Sequence, residues 1–488
     1  MTDYDAAEVA QQTAGLAATE ARRAASPHGD GTQLAHARRY IGYLLTGEVW
    51  NKAARFGAAV VLARALTPSQ FGIFNVGISI GVFAVALTSL GLPELGSRDV
   101  AVDRSRAGWI AGRVVTVRTG AVLGVIAVAL VVTELAAAGD TGFVLAAGAM
   151  ALAMAASADW LARGLERMRG VGTATAAGGT VALVGAIVVA LGPSSAAAAL
   201  LAFALGEVVA GALCWRTAGR VSRPRPGIEG LGGLLRRAWP LALSTLVVYI
   251  FYANLDTVLL AATRSASEAG LYSAAYRVFQ ALNMIAVFAA FSIMPMLARS
   301  LVEGRPEALS ASLRTTLTDL MLLSVLWLGV AEAAGAWFLG AVFGPDFEEM
   351  GPTLVVLFIG LGWFSVGYPA GYSTISADRN RRFLAGAAVA GVVNVALNVV
   401  LTPAFGAIGA GIATTAALVP AAVVWIAGAE LLDRAMMRVL AILVLFSAGG
   451  VVALVVSQAA VAIGVVTAAS ALALAAYRFV RRRRGAHR

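Results

Sequence analysis

The chain has 488 residues, of which 59% are hydrophobic and 13% are charged. Soluble domains carry about 25% charged residues, and no stretch here is polar enough to fold separately in water. The formal net charge is +10, but the arginines interrupt apolar stretches instead of covering one face, so we do not expect a nucleic-acid partner. A single cysteine, Cys214, cannot form an internal disulfide.

The first 40 residues differ from the rest in being polar. They begin MTDYDAAEVA, which is acidic where a signal peptide needs a cationic segment before its apolar core. We therefore expect residues 1–40 to be a mobile cytoplasmic tail.

Fourteen apolar stretches follow, each long enough to cross a bilayer as a helix of about 20 residues. The pattern predicts an all-α polytopic membrane protein. The predicted spans are 41–64, 70–92, 112–134, 141–162, 171–192, 196–216, 239–262, 274–298, 316–343, 351–376, 383–402, 405–428, 437–457 and 459–477.

Arginines fall almost entirely on alternate connections between these spans. One set of connections holds clusters such as Arg216–Arg237 and Arg379–Arg382, and residues 478–488 add a basic tail. The other set holds only Arg64 and Arg264. Because basic residues in short loops stay in the cytoplasm, the asymmetry predicts an inner-membrane protein with both ends cytoplasmic.

Two joints in the chain are similar at an offset of 198 residues. Residues 61–74 read VLARALTPSQFGIF and residues 259–272 read LLAATRSASEAGLY, with leucine, alanine, serine and glycine coinciding. Either this similarity is chance, or the chain contains two parallel halves around an axis along the membrane normal. On the second interpretation the N-lobe is 41–216, the basic linker 217–238, the C-lobe 239–428 and a C-terminal helix pair 429–477.

Several of these segments resemble a known family. They are LARALTPSQFGIF, LGLPELGSRD, DWLARGLERM, WPLALSTLVVYIFYANLDTVLL and EAGLYSAAYRV. Together they are similar to Wzx-type polysaccharide-export flippases of the multidrug/oligosaccharidyl-lipid/polysaccharide (MOP) superfamily. The resemblance implies two six-helix lobes, often with two extra C-terminal helices, and a cationic central cavity. It also implies transport of undecaprenyl-diphosphate-linked glycans from the inner to the outer leaflet.

The predicted spans lack the residue type that a histidine site requires and the motif that an ATP-binding phosphate loop requires. The three histidines lie in the two tails, and the only lysine, Lys52, is not part of a GxxxxGK phosphate loop. We therefore expect no ATP hydrolysis, no catalytic residue, no cofactor and no metal site, and we do not expect an enzyme.

Charged residues within spans normally face a wet cavity or a partner, because they are costly in hydrocarbon. Glu48, Lys52 and Arg55 lie at i, i+4 and i+7, so they share one helix face. Lys52 and Arg55 either meet a diphosphate, with Glu48 holding them or taking a proton, or all three reach the interface as a snorkelling cluster.

Arg277 and Asp256 lie at similar depth in adjacent spans. Either they form a structural ion pair, or Arg277 contacts phosphate, to which its planar fork is suited. Arg118, about one turn inside the third span, is a further cavity candidate.

The remaining candidates concern coupling and sugar recognition. Glu207 and Glu332 lie deep in their spans, where each either binds a coupling proton or cation or bonds to a neighbouring helix. Tyr252 and Asn254 can contact sugar, although aromatic residues near the interface are usually anchors. Asn394 and Asn398 either bridge helices or line a cavity.

The sequence thus predicts a flippase for a polyprenyl-diphosphate-linked oligosaccharide. Its expected partners are membrane lipid, that glycan carrier, and glycosyltransferases or a polymerase of the same pathway. One alternative is a cation-coupled exporter of small molecules from the same superfamily. Another is a membrane subunit that does not transport but belongs to a complex that polymerises or ligates glycan.

Overall fold

The computed structural model describes residues 30–136, 140–192, 194–219, 229–239, 255–302, 306–376 and 379–455, with isolated positions between 224 and 242. Within these residues the chain is helical, with short turns between helices. The helices are α1 Asp30–Ala65, α2 Pro68–Ser89, α3 Leu92–Val102, α4 Ala107–Ala136, α5 Thr141–Ala155, α6 Asp159–Gly164, α7 Met168–Leu191, α8 Ala196–Ala218, α9 231–239, α10 Leu255–Thr263, α11 Ala266–Val302, α12 Pro306–Phe343, α13 Gly351–Ser376, α14 Asn380–Gly428 and α15 Arg434–Val455.

Eight helices among the described residues are long and apolar enough to cross a membrane. The chain is therefore a multi-pass membrane protein with an all-α fold. Helix α13 coincides with the predicted span 351–376. The total of fourteen stays a prediction, since most of span 239–262 and all of span 459–477 lie outside the described residues, as do the start of the N-terminal tail and the C-terminal tail.

Two predicted spans, 383–402 and 405–428, are joined in the single element α14. Gly406 interrupts that element, because its backbone lies at φ 60° and ψ −138°, outside the helical region. A positive φ of this kind suits glycine, which has no Cβ to clash with the backbone. The chain turns there, as the prediction of two separate spans requires.

The predicted span 141–162 is not one continuous helix. It breaks after Ala155 and resumes at Asp159 as the short helix α6. At the break the Trp215 indole donates to the Ala156 carbonyl at 2.9 Å, and Arg118 donates to the Met154 carbonyl at 3.2 Å. These side chains supply the partners that helix-end carbonyls lack. A hydrophobicity pattern cannot reveal such a break, because it carries no information on these hydrogen bonds.

The helices pack around one large apolar core that includes residues from both halves of the chain, such as Phe71, Phe203 and Phe343. Helix α13 lies at its centre: 94% of its most apolar stretch is buried, against 17% for α4. A second cluster around Trp160 includes Leu234 and Ala238 of α9. The linker between the halves is therefore packed against the first half at this point.

Ion pairs join connections that the arginine pattern assigns to the same side. Arg237 binds Asp99 through both of its terminal nitrogens, at 2.8 and 3.0 Å, and Arg104 pairs with Glu166 at 2.6 Å. In the second half, Arg314 pairs with Asp433 at 2.8 Å. Each pair links two arginine-rich connections, so these connections lie together at one end of the bundle, as the alternation in the sequence predicts.

Glu430 belongs to the same end of the bundle. It accepts hydrogen bonds from Arg382 at 3.0 Å and from Arg379 at 2.6 Å. The Arg382 hydrogen bond and the charge of Arg379 lower the pKa of the Glu430 carboxyl. This carboxylate holds the start of α14 against the loop that follows its end.

Candidate functional site

A cavity of about 570 Å³ lies between α1 and α11, with Phe364 of α13 in its wall. Lys52 and Arg55 of α1 and Arg277 of α11 all line it. Three of the predicted basic candidates, two on α1 and one more than 200 residues later on α11, are thus brought to one cavity. Apolar side chains such as Phe56 complete much of the wall.

Arg55 is held in place from three directions. Its Nη2 forms an ion pair with Glu207 of α8, and its Nε donates to Asn51 Oδ1 at 3.1 Å. The guanidinium also lies 5.3 Å from the centre of the Phe203 ring, within range of a cation–π contact. Glu207, predicted as a candidate for coupling or ion pairing, therefore compensates the charge of Arg55.

Arg277 contacts the other half of the chain. Its Nη2 donates to Asn75 Oδ1 on α2, and Asn75 in turn donates to the Phe71 carbonyl at 2.7 Å. The Arg277 Nε is buried and has no hydrogen-bond partner among the described residues. Arg277 therefore places a positive charge in the cavity wall, with its Nε donor unpaired.

Lys52 differs from the two arginines because its side chain is exposed at the cavity. The Glu48 carboxylate, which on one of the two interpretations holds Lys52 and Arg55, forms an ion pair with neither of them. Helix periodicity placed the three on one face, but Arg55 turns to Glu207 instead.

Asp256 does not pair with Arg277, so of the two alternatives for these residues the structural ion pair is wrong. Its Oδ2 accepts from the Tyr272 hydroxyl at 2.5 Å and from Thr414 at 3.1 Å, and the side chain is buried. Asn394 also bonds Thr414, at 3.3 Å, and so bridges the two parts of α14. Asp256 and Arg277 belong to different polar networks because their helices present them to different neighbours.

Two other candidates do not line this cavity. Arg118 is buried, and its Nε donates to Ser89 at 3.2 Å while its Nη2 donates to Met154 at the helix break. It therefore supports the end of α5, where a positive charge also suits the helix dipole. Glu332 faces α15, since a Cβ added to Gly450 would lie 3.3 Å from its Oε1. Tyr252 and Asn254 lie outside the described residues.

The sequence interpretation missed two amides that line the cavity, Gln280 and Asn283. They follow Arg277 at i+3 and i+6 on α11. Helical spacing from Arg277 could have indicated Gln280, because residues three and four apart share a face. Asparagine and glutamine are common enough in helices that residue type alone does not indicate a position in a cavity.

The other end of the bundle is closed by contacts between its two halves. Arg64 at the end of α1 donates to the carbonyls of Ala341 and Val342 at the end of α12. Phe56 packs edge-on against Phe343, with ring centres 5.9 Å apart. Gly72 of α2 and Gly270 of α11 are in direct backbone contact. These contacts lie at the end that the arginine pattern assigns to the outside.

The protein is a helical membrane bundle with a basic cavity between its halves, and its fold is similar to those of several known structures. The fold is similar to that of the lipid II flippase MurJ in an inward closed conformation, with a TM-score of 0.68 and 12% identity over 90% of this chain and 99% of that one. It is also similar to an inward-facing multidrug resistance MATE family transporter of the MOP superfamily. That TM-score is 0.57, with 15% identity over 80% of this chain and 95% of that one.

A Vibrio cholerae MATE transporter gives a TM-score of 0.53, with 14% identity over 81% of this chain and 97% of that one. No curated protein matches the sequence significantly. The family model described as "Polysaccharide biosynthesis protein" matches residues 37–301, more than half of the chain. The chain therefore belongs to the polysaccharide biosynthesis protein family, which confirms the resemblance seen in the sequence.

Proposed function

We propose that this protein moves a polyprenyl-diphosphate-linked oligosaccharide across the cytoplasmic membrane by alternating access. The observation that carries the proposal is the convergence of Lys52, Arg55 and Arg277 on one cavity. Basic side chains within spans are costly unless they face water or an anion. A diphosphate carries the matching charge, and the arginine fork can bond two of its oxygens at once.

The cavity also limits what the substrate can be. Glu207 compensates Arg55, while Arg277 bonds to a neutral amide and Lys52 has no acidic partner among the described residues. The lining is therefore net positive and repels the organic cations that a drug exporter would carry. This favours the lipid-linked anion over the exporter alternative. The glycan passes through the cavity while the prenyl tail stays in lipid, so the sugar avoids the hydrocarbon.

Alternating access requires two units that move against each other, and we assign these to 41–216 and 239–428. Matching hydrogen bonds at the two similar joints support the assignment. Gln70 Oε1 accepts from the backbone of Ala196 at 2.8 Å, and Glu268 Oε1 accepts from the backbone of Ala407 at 2.7 Å. In each case the third residue of one helix caps the start of another helix. The two acceptor residues are separated by 198 residues, which is the offset between the two similar joints.

Coupling is assigned to Asp256. Its carboxylate is buried and bonded by hydroxyl groups, and no arginine or lysine among the described residues pairs with it. Binding of a proton or cation there changes the charge of a group that bridges α10, α11 and α14. One elementary charge crossing the membrane potential contributes about 2.3 kcal/mol per 100 mV.

The proposal is tested in inside-out membrane vesicles that contain undecaprenyl-diphosphate-N-acetylglucosamine. Wild-type protein should move the labelled carrier out of the cytoplasmic leaflet. Arg277→Ala should abolish that movement while the protein still inserts, and Arg277→Lys should restore only part of it, because lysine lacks the fork. Adding Asp256→Ala to Arg277→Ala should not rescue transport. Transport by Arg277→Ala at the wild-type rate would reject the assigned role of this residue and of the cavity.

A further inference from the structure

One face of α11 presents polar groups to the cavity in a defined order. Arg277, Gln280 and Asn283 come first, followed by the apolar Met284 and Val287, and all five line the cavity. From residue 277 to residue 283 the helix rises about 9 Å. The face therefore changes from cationic to neutral polar to apolar along its length.

Two atoms on this face are buried and have no hydrogen-bond partner among the described residues. They are Arg277 Nε, which is a donor, and Asn283 Oδ1, which is an acceptor. Unpaired buried polar atoms destabilise a folded protein, and they are rare in native structures unless they serve a ligand or hold water. Both residues line one cavity, so a ligand there that completes these two atoms must offer an acceptor to Arg277 and a donor to Asn283.

The three parts of the proposed substrate differ in the hydrogen-bond donors and acceptors that they offer. A diphosphate at neutral pH offers acceptors and no donors, so it suits Arg277 but cannot satisfy the Asn283 carbonyl oxygen. A sugar offers hydroxyl or acetamido N–H donors. The prenyl chain offers neither.

We infer that Asn283 recognises the first sugar of the carrier, by accepting a hydrogen bond from its hydroxyl or acetamido group while Arg277 contacts the diphosphate. This rests on the proposed function and adds a specificity-determining residue to it. The rise between the two residues leaves room for a diphosphate followed by a sugar ring, with Gln280 between them.

Binding of two carriers to the full-length protein in lipid nanodiscs tests the inference. The probes are undecaprenyl diphosphate and undecaprenyl-diphosphate-N-acetylglucosamine, with affinity measured by native mass spectrometry. Wild-type protein should bind the glycosylated probe about fivefold to tenfold more tightly, as one added hydrogen bond allows. Asn283→Leu should remove that preference and leave the affinity for undecaprenyl diphosphate unchanged. Arg277→Ala should weaken the binding of both probes.

The possible outcomes distinguish failure of this inference from failure of the proposed function. If wild-type protein binds neither probe, the proposed function fails and the inference fails with it. If it binds both equally, or if Asn283→Leu keeps the preference, the inference alone is overturned.

Thermal unfolding without ligand provides the structural control. Asn283→Leu should unfold at the wild-type temperature or above, because it replaces an unpaired acceptor with an apolar side chain of similar size. Asn398→Leu is the matched control, since Asn398 donates to the Asn394 carbonyl at 3.1 Å and accepts from Thr402 at 2.8 Å. That variant should unfold at a lower temperature. A comparable fall for Asn283→Leu would mean that its amide has a structural partner, which overturns the inference.

Discussion

Gly72 and Gly270 touch where α2 crosses α11, and a Cβ on Gly72 would lie 2.9 Å from the Gly270 backbone nitrogen. A Cβ on Gly270 would lie 2.8 Å from the Gly72 nitrogen. The two glycines occupy equivalent positions in the similar joints of the sequence. Their contact brings the two halves together at the closed end of the bundle.

A side chain at Gly72 should force this end open. We expect Gly72→Leu to raise the reactivity of a cysteine placed at Met284 in the cavity toward an impermeant maleimide added outside cells, by several-fold in a Cys214→Ser background. Gly120→Leu is the control, because a Cβ at Gly120 would meet nothing within 4 Å. Equal labelling in the two variants would show that the Gly72 contact does not close the cavity.

Exchanging Arg55 and Glu207 separates structural pairing from substrate contact. The double variant Arg55→Glu with Glu207→Arg can keep the ion pair, so it should insert and accumulate normally. It places a carboxylate on the cavity wall, which repels a diphosphate, so we expect export to fall at least tenfold, or about 1.4 kcal/mol. Wild-type export by this double variant would mean that Arg55 serves only as a partner of Glu207.

Arg118 should matter for stability and not for substrate affinity. Arg118→Met removes donors from Ser89 and from the Met154 carbonyl, and we expect a loss of about 2 kcal/mol in the free energy of unfolding. Affinity for undecaprenyl diphosphate should stay within twofold of wild type, measured in nanodiscs. A selective loss of affinity at unchanged stability would return Arg118 to the list of phosphate contacts.

Orientation can be tested with single cysteines at exposed positions in the Cys214→Ser background. Cysteines at Glu349 and Ala404 should react with impermeant maleimide in intact cells, and one at Arg236 should react only after the membrane is opened. All three positions are exposed, so access to the reagent depends on the side of the membrane. Labelling of the Arg236 position in intact cells would reverse the predicted topology.

The order and approximate extent of most of the described helices follow from the sequence alone, as does the grouping of the arginine-rich connections at one end of the bundle. Helix α13 begins and ends as predicted, and the pairs Arg237–Asp99 and Arg314–Asp433 join connections of the same set. Both results depend on local properties. The length of an apolar stretch must match the hydrocarbon thickness, and each arginine cluster stays on one side.

The rotation of each helix about its axis, and the neighbour that each side chain meets, become known only once the bundle is packed. Arg55 pairs with Glu207, 152 residues away, instead of with Glu48, and Asp256 meets Tyr272 and Thr414 instead of Arg277. The sequence indicates the depth of a residue in the membrane but not the rotation of its helix. Rotation follows from close packing of small residues between helices, which depends on the whole bundle at once.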